Sequence, residues 1–148
     1  MKLRRLRMEM RSLNYQDWLL VCFILGVVGG TAAAHFFGGQ TVKAQVLGVP
    51  QDLLDAYGAV SEPVARAMAE GARKVLGCDL AISTTGVAGP DPDERGNPVG
   101  LVFIGLATPD GTWVRQVNLS MGRERIRHIA ASHGFDLARR YLSGLEMK

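Results

Sequence analysis

Apolar and polar positions follow different rhythms in different parts of this 148-residue chain. From Trp18 to Phe37 there is no alternation: "WLLVCFILGVVGGTAAAHFF" runs for twenty residues without a formal charge, with His35 taken as neutral. At about 1.5 Å of rise per residue, such a run spans roughly 30 Å, the thickness of a bilayer core. The pattern predicts one hydrophobic helix over 18–37. The arginines precede it, and Tyr15 and Trp18 fall at its start. A membrane span would therefore have its N-terminus in the cytoplasm. Gly29, Gly30, three alanines and His35 dilute the second half, so a buried core segment of a soluble domain is the competing reading. A signal peptide fits less well, because the apolar region is long for one and no small-x-small site is convincing.

After Gly38–Gln40 the pattern becomes that of a soluble α/β unit. Residues 41–47 read as a short helix, and "PQDLLDAYG" as a second, opened by Pro50 and closed by Gly58. Ser61 is a suitable N-cap for a helix over 61–76 that ends at Gly77. In that helix Val64, Ala67, Met68, Gly71 and Val75 share one face. Residues 79–84 predict a short buried strand. Residues 101–108, "LVFIGLAT", are apolar at nearly every position, as in a central strand covered on both faces. Pro109-Asp110-Gly111 predicts a hairpin turn, returning as a strand over 112–119. A last helix is expected over 123–142, with Ile126, Ile129, Ala130, His133, Leu137 and Tyr141 inward. The expected architecture is an α/β domain over 41–148 with a small mixed sheet.

Charge refines this division. Residues 1–17 carry five basic and two acidic side chains, whereas 18–148 carry twelve of each. The net charge of +3 thus belongs to a basic N-terminal arm. The balanced body offers no general footprint for nucleic acid. The two cysteines, Cys22 and Cys78, have neither disulfide-framework nor metal-site spacing, and buried thiols are the simpler reading.

Two stretches carry candidate chemistry. The loop "TTGVAGPDPDERGNPVG", Thr84 to Gly100, holds four glycines and three prolines directly after a strand. Gly86 and Gly89 would let the backbone approach a ligand, and Ser83, Thr84 and Thr85 supply hydroxyls where open α/β sheets place their ligands. The plain alternative is a long solvated loop. The helix start "MGRERIRH" sets Arg123, Arg125, Arg127 and His128 within two turns. Positive charge there opposes the helix dipole, and a bound phosphate would relieve the conflict. Arg123 and Arg127 lie one turn apart; a solvated basic face is the alternative. His133 falls on the apolar face and reads as a core histidine.

In order, the Leu47–Pro50 step, "GAVSE" at 58–62, "TGVAGP" at 85–90, "PVG" at 98–100 and "RERIRHIAASHGFDLARRYL" at 123–142 resemble the CinA C-terminal domain family. This family includes stand-alone nicotinamide mononucleotide deamidases. The resemblance covers about residues 41–142. It implies a three-layer α/β fold and a homo-oligomer. It also implies hydrolysis of nicotinamide mononucleotide to nicotinic acid mononucleotide and ammonia, with no metal and no cofactor. By family the location would be cytoplasmic. Carried over residue by residue, the resemblance makes Lys43 the catalytic lysine. With the residues singled out above, Thr85, Gly86 and Gly89 would border the substrate, and Arg123 or Arg127 would meet its phosphate.

The family's nucleophilic serine stands in a Glu-Ser-Cys-Thr-Gly-Gly motif, which these 148 residues do not contain. The family's Tyr-Ser-Asn stretch falls on Gly38, Gly39 and Gln40, and the only serine before Ser61 is Ser12. Three readings follow: a domain that binds a nucleotide without hydrolysing it, an amidase whose nucleophile comes from elsewhere, or a chimeric gene product.

Overall fold

The computed structural model describes residues 39–147. The basic arm and the hydrophobic helix expected over 18–37 lie outside the described residues. Among the described residues, no helix is long and apolar enough to cross a membrane. Four helices and three strands follow in order. Helix α1 covers Gly39–Leu47, α2 Gln51–Tyr57 and α3 Glu62–Leu76. Strands β1 (Ala81–Gly86), β2 (Leu101–Thr108) and β3 (Gly111–Asn118) precede helix α4, Arg123–Ser143.

The sheet is antiparallel throughout in the order β1-β2-β3, not mixed as the sequence suggested. The connections explain this. A tight turn joins β2 to β3, and no helix lies between β1 and β2 to carry a parallel crossover. In register, Ile82 faces Leu106, and Ser83 faces Gly105. Since side chains alternate across a strand, Ile82, Val102, Ile104 and Leu106 share one face. There they pack with Ile126, Ala130, Leu137 and Ala138 of α4.

The other face receives α3. Ser83 donates from Oγ to the Ala65 carbonyl at 2.6 Å. Small Ala65, Ala69 and Ala72 are all buried, so the helix lies close to the strands. The outer side of α3 carries Val64 and Met68, which form a second core with Val49 and Leu54. At Gly71 the contact is backbone to backbone: an added Cβ would stand 1.8 Å from the Leu47 carbonyl oxygen. The result is a three-layer α/β domain, with α1 and α2 outside α3. Strand β2 is buried along almost its whole length.

Several local expectations shift. Strand β1 begins at Ala81 rather than Asp79, because the turn after α3 takes those residues and Arg73 holds the Asp79 carbonyl at 3.2 Å. Ser61 is extended as an N-cap should be, but it makes no side-chain cap bond; its hydroxyl donates back to the Gly58 carbonyl at 3.0 Å. Val75, expected inside, is 59% exposed. It lies one turn beyond Gly71, where α1 has already ended.

Candidate functional site

Lysine 43 lies on α1, five residues before the glycine that ends the helix region, and its side chain turns inward to only 8% exposure. Its Nζ donates to the Thr85 Oγ1 and to the Ala59 carbonyl, each at 3.1 Å. Thr85, 6% exposed, donates its own hydroxyl proton to the same carbonyl at 2.6 Å. Three separate segments meet here: α1, the turn between α2 and α3, and the end of β1. Thr85 faces the α3 side of the sheet, in line with Ser83. Among the described residues no carboxylate pairs with Lys43. Burial therefore acts unopposed and lowers its pKa from 10.5 to about 8. A lysine of this kind can act as a base near neutral pH.

A second pair of expected residues meets at the same end of the sheet. Arg123, at the start of α4, donates from Nη1 to the Gly89 carbonyl at 2.8 Å. The structure thereby ties the helix start to the loop after β1. Arg127 behaves differently. It bonds Glu124 at 3.3 Å on the exposed helix surface, so part of the charge conflict at this helix start is settled within the chain. The two arginines expected together thus have separate partners.

The two glycines have structural reasons of their own. A Cβ on Gly86 would come within 2.6 Å of the Leu101 carbonyl oxygen. Gly89 has φ of 86°, and its Cβ would meet Val99 at 2.8 Å. Glycine at these positions reflects close chain packing, whatever else lies beside them.

The loop is ordered by side chains that the sequence did not single out. Asp93 accepts from the backbone amides of Arg95 (3.1 Å) and Asn97 (2.8 Å) and from the Asn97 amide group (2.8 Å). Those hydrogen bonds outweigh desolvation and hold its carboxyl below the usual range. Arg95 reaches back to the Leu54, Asp55 and Ala56 carbonyls at the end of α2. The aspartate-to-asparagine spacing is a readable turn signal. The arginine's target is some forty residues away, and no local signal marks it.

His133 is half-buried, with Nδ1 3.3 Å from Arg115 Nη1. Arg115 also pairs with Asp136 at 3.2 Å. Asp136 is shared by Arg139 and Arg140 as well, and these hold its carboxyl far below the ordinary value. This network fastens α4 to β3, as does the Trp113–Tyr141 ring contact at 5.7 Å.

Fold and site together describe a three-layer α/β domain with a buried lysine–threonine pair at one end of its sheet. Residues 38–142 match the CinA C-terminal domain model, and the chain belongs to that family. A putative competence-damage inducible protein of Caldanaerobacter subterraneus is 49% identical over 105 residues, covering 71% of this chain and 26% of that protein. A CinA-like protein of Frankia casuarinae is 51% identical over 119 residues, covering 77% and 27%. The chain thus spans about a quarter of the length of these curated relatives. Among solved structures, a CinA superfamily protein from Escherichia coli matches with a TM-score of 0.59 and 32% identity, covering 68% of this chain and 57% of that one. The competence/damage inducible protein CihA from Agrobacterium tumefaciens matches with a TM-score of 0.65 and 26% identity, covering 80% and 79%.

Proposed function

We propose that this domain binds a pyridine nucleotide, nicotinamide mononucleotide or a close relative, at the Lys43–Thr85 end of its sheet and does not hydrolyse it. The observation that carries this reading is Lys43: a buried ammonium on two neutral oxygens, with no carboxylate partner among the described residues. Burying such a charge is costly and gains the fold little, which is the pattern of a functional group. In this reading Thr85, Gly86 and Gly89 border the ligand. Arg123 leaves the Gly89 carbonyl to meet the phosphate, and Arg127 stands one turn behind it. A charge-assisted arginine–phosphate bond contributes about 1.5–3 kcal/mol.

Hydrolysis asks for more than a base. An amide is a poor electrophile, and a covalent route needs a hydroxyl or thiol activated beside the base. The family's serine motif does not occur in the chain. Thr85 Oγ1 directs its proton to the Ala59 carbonyl and not to Lys43. A second reading draws on the same lysine: a base depressed to about 8 suits an amidase whose nucleophile is supplied from outside these residues. Calorimetric titration with nicotinamide mononucleotide, run beside an ammonia-release assay, separates the readings. Binding is expected without ammonia, and Arg123→Ala should weaken it about tenfold. No binding defeats the proposal. Ammonia release abolished by Lys43→Ala establishes the second reading instead.

A further inference from the structure

Arg95 directs its guanidinium at backbone. Its Nη1 donates to the Ala56 carbonyl at 3.2 Å, and its Nη2 to the carbonyls of Leu54, at 3.4 Å, and Asp55. These carbonyls lie in the last turn of α2, where a helix leaves them without partners further along and where a cation complements the dipole. The stem of the same side chain lies over Gly58. A Cβ there would stand 2.6 Å from Arg95 Cδ, and Gly58 has φ of 77°. One side chain thus covers the end of α2 and the turn that follows it.

The loop between β1 and β2 is built to present this arginine. Asp93 accepts from the Arg95 and Asn97 amides, and the Gly96 amide closes on the Asp93 carbonyl at 2.9 Å. At its base the loop is pinned by Val87 and Gly100, whose amides donate to the Leu101 and Val87 carbonyls at 2.9 and 2.7 Å. It leaves directly from β1, the strand that carries Thr85. The turn after α2 carries Ala59, whose carbonyl receives both Lys43 and Thr85. Arg95 therefore joins two of the three segments that form the lysine site, and it does so through the α2 carbonyls rather than through Lys43 or Thr85.

We propose that Arg95 is a positioning residue for the lysine site: it fixes the turn after α2 against the loop after β1, so that the Ala59 carbonyl stands where Lys43 and Thr85 both reach it. The link is short. Ala56 and Ala59 are close in the chain, and between them lies Gly58, the residue with the freest backbone. Ser61 holds the Gly58 carbonyl at 3.0 Å from the α3 side, and Arg95 holds the turn from the other. Release of Arg95 lets the Ala59 carbonyl move off the ammonium and admits water to Lys43. A guanidinium suits the task, because its fork of donors meets several carbonyls at once where an ammonium is a point charge. The inference rests on the Lys43–Thr85 end being the functional site. Nucleotide binding by the wild-type chain tests that reading, and a comparison of variants without ligand tests this one.

Lysine titration by nuclear magnetic resonance on the selectively labelled full chain provides the comparison. In Arg95→Ala, Lys43 should titrate nearer the other lysines than it does in the wild type, and the Gly58 amide should exchange with solvent about tenfold faster. Arg66→Ala is the control. Arg66 also donates to a backbone carbonyl, that of Thr112, but at the end of the sheet away from Thr85, so its loss should leave Lys43 unchanged. Should Arg95→Ala not fold, Asp93→Ala unpins the turn that presents Arg95 and should move Lys43 the same way. A folded variant of either kind in which Lys43 titrates as in the wild type overturns the proposal. So does an equal movement in Arg66→Ala, which would mark a general loosening of the fold. A wild-type chain that ignores nicotinamide mononucleotide while Arg95→Ala still moves Lys43 defeats the nucleotide reading and upholds the positioning role.

Discussion

Replacing Lys43 with methionine should change how stability depends on pH. Methionine keeps most of the length of the side chain and removes the charge. In the wild type, burial lowers the Lys43 pKa from 10.5 to about 8. Between these values the unfolded chain holds a proton that the folded chain has released. Stability therefore rises with pH across that window, and the full cost of the buried ammonium is felt below pH 8. A shift of this size corresponds to about 3.5 kcal/mol in full, using about 1.4 kcal/mol per unit. The group is almost wholly buried, so solvent screening removes little of this. Urea unfolding at intervals from pH 7 to 11 provides the test. Cys78 and Tyr141, both shifted upward chiefly by burial, are common to both proteins. The difference between wild type and Lys43→Met isolates the lysine. It should move by about 3 kcal/mol in favour of the wild type between pH 7.5 and 10.5. A difference that stays constant across that range refutes the placement of Lys43.

Two further outcomes follow from the packing. Gly71→Ala should push α1 away from α3, because the new methyl would meet the Leu47 carbonyl; a loss of about 1–3 kcal/mol in urea unfolding is expected, together with a Lys43 that titrates nearer its ordinary value. Asp136→Asn removes a carboxylate whose pKa Arg139 and Arg140, then Arg115, hold down. Such a group stabilises the fold above the unfolded pKa of about 4 and loses that contribution as pH falls. The variant should therefore be less stable at pH 7 and show a flatter decline on acid titration followed by circular dichroism.

The parts of the fold that were legible in the sequence are those set by short-range pattern. The central strand over 101–108 declared itself through an unbroken apolar run. The turn at Pro109–Gly111 and the glycine after Leu76 marked their boundaries. What escaped depends on contacts between distant segments. Val75 has the right helical spacing to be buried, but burial required α1 to reach it, and α1 ends one turn short. The cap at Ser61 failed because its hydroxyl found the Gly58 carbonyl first. At the site, Thr85 and Arg123 stand out from the residue pattern itself, as a hydroxyl at a strand end and a cation at a helix start, whereas Lys43 is marked only by the family resemblance. Lys43 and Thr85 are 42 residues apart in sequence, and nothing local predicts that they touch. Their shared acceptor, the Ala59 carbonyl, is a backbone atom and left no trace in residue type. The arginine that orders the loop, Arg95, carries no sequence mark that sets it apart from the residues of a solvated loop.

The most direct measurement is the titration of Lys43 itself by nuclear magnetic resonance of selectively labelled lysine. The chain has only three others, Lys2, Lys74 and Lys148, and a Lys43→Met control assigns the signal. The account predicts one lysine titrating near pH 8, apart from the rest, and moving when nicotinamide mononucleotide is added. Four lysines that titrate together near 10.5 and ignore the nucleotide would contradict it.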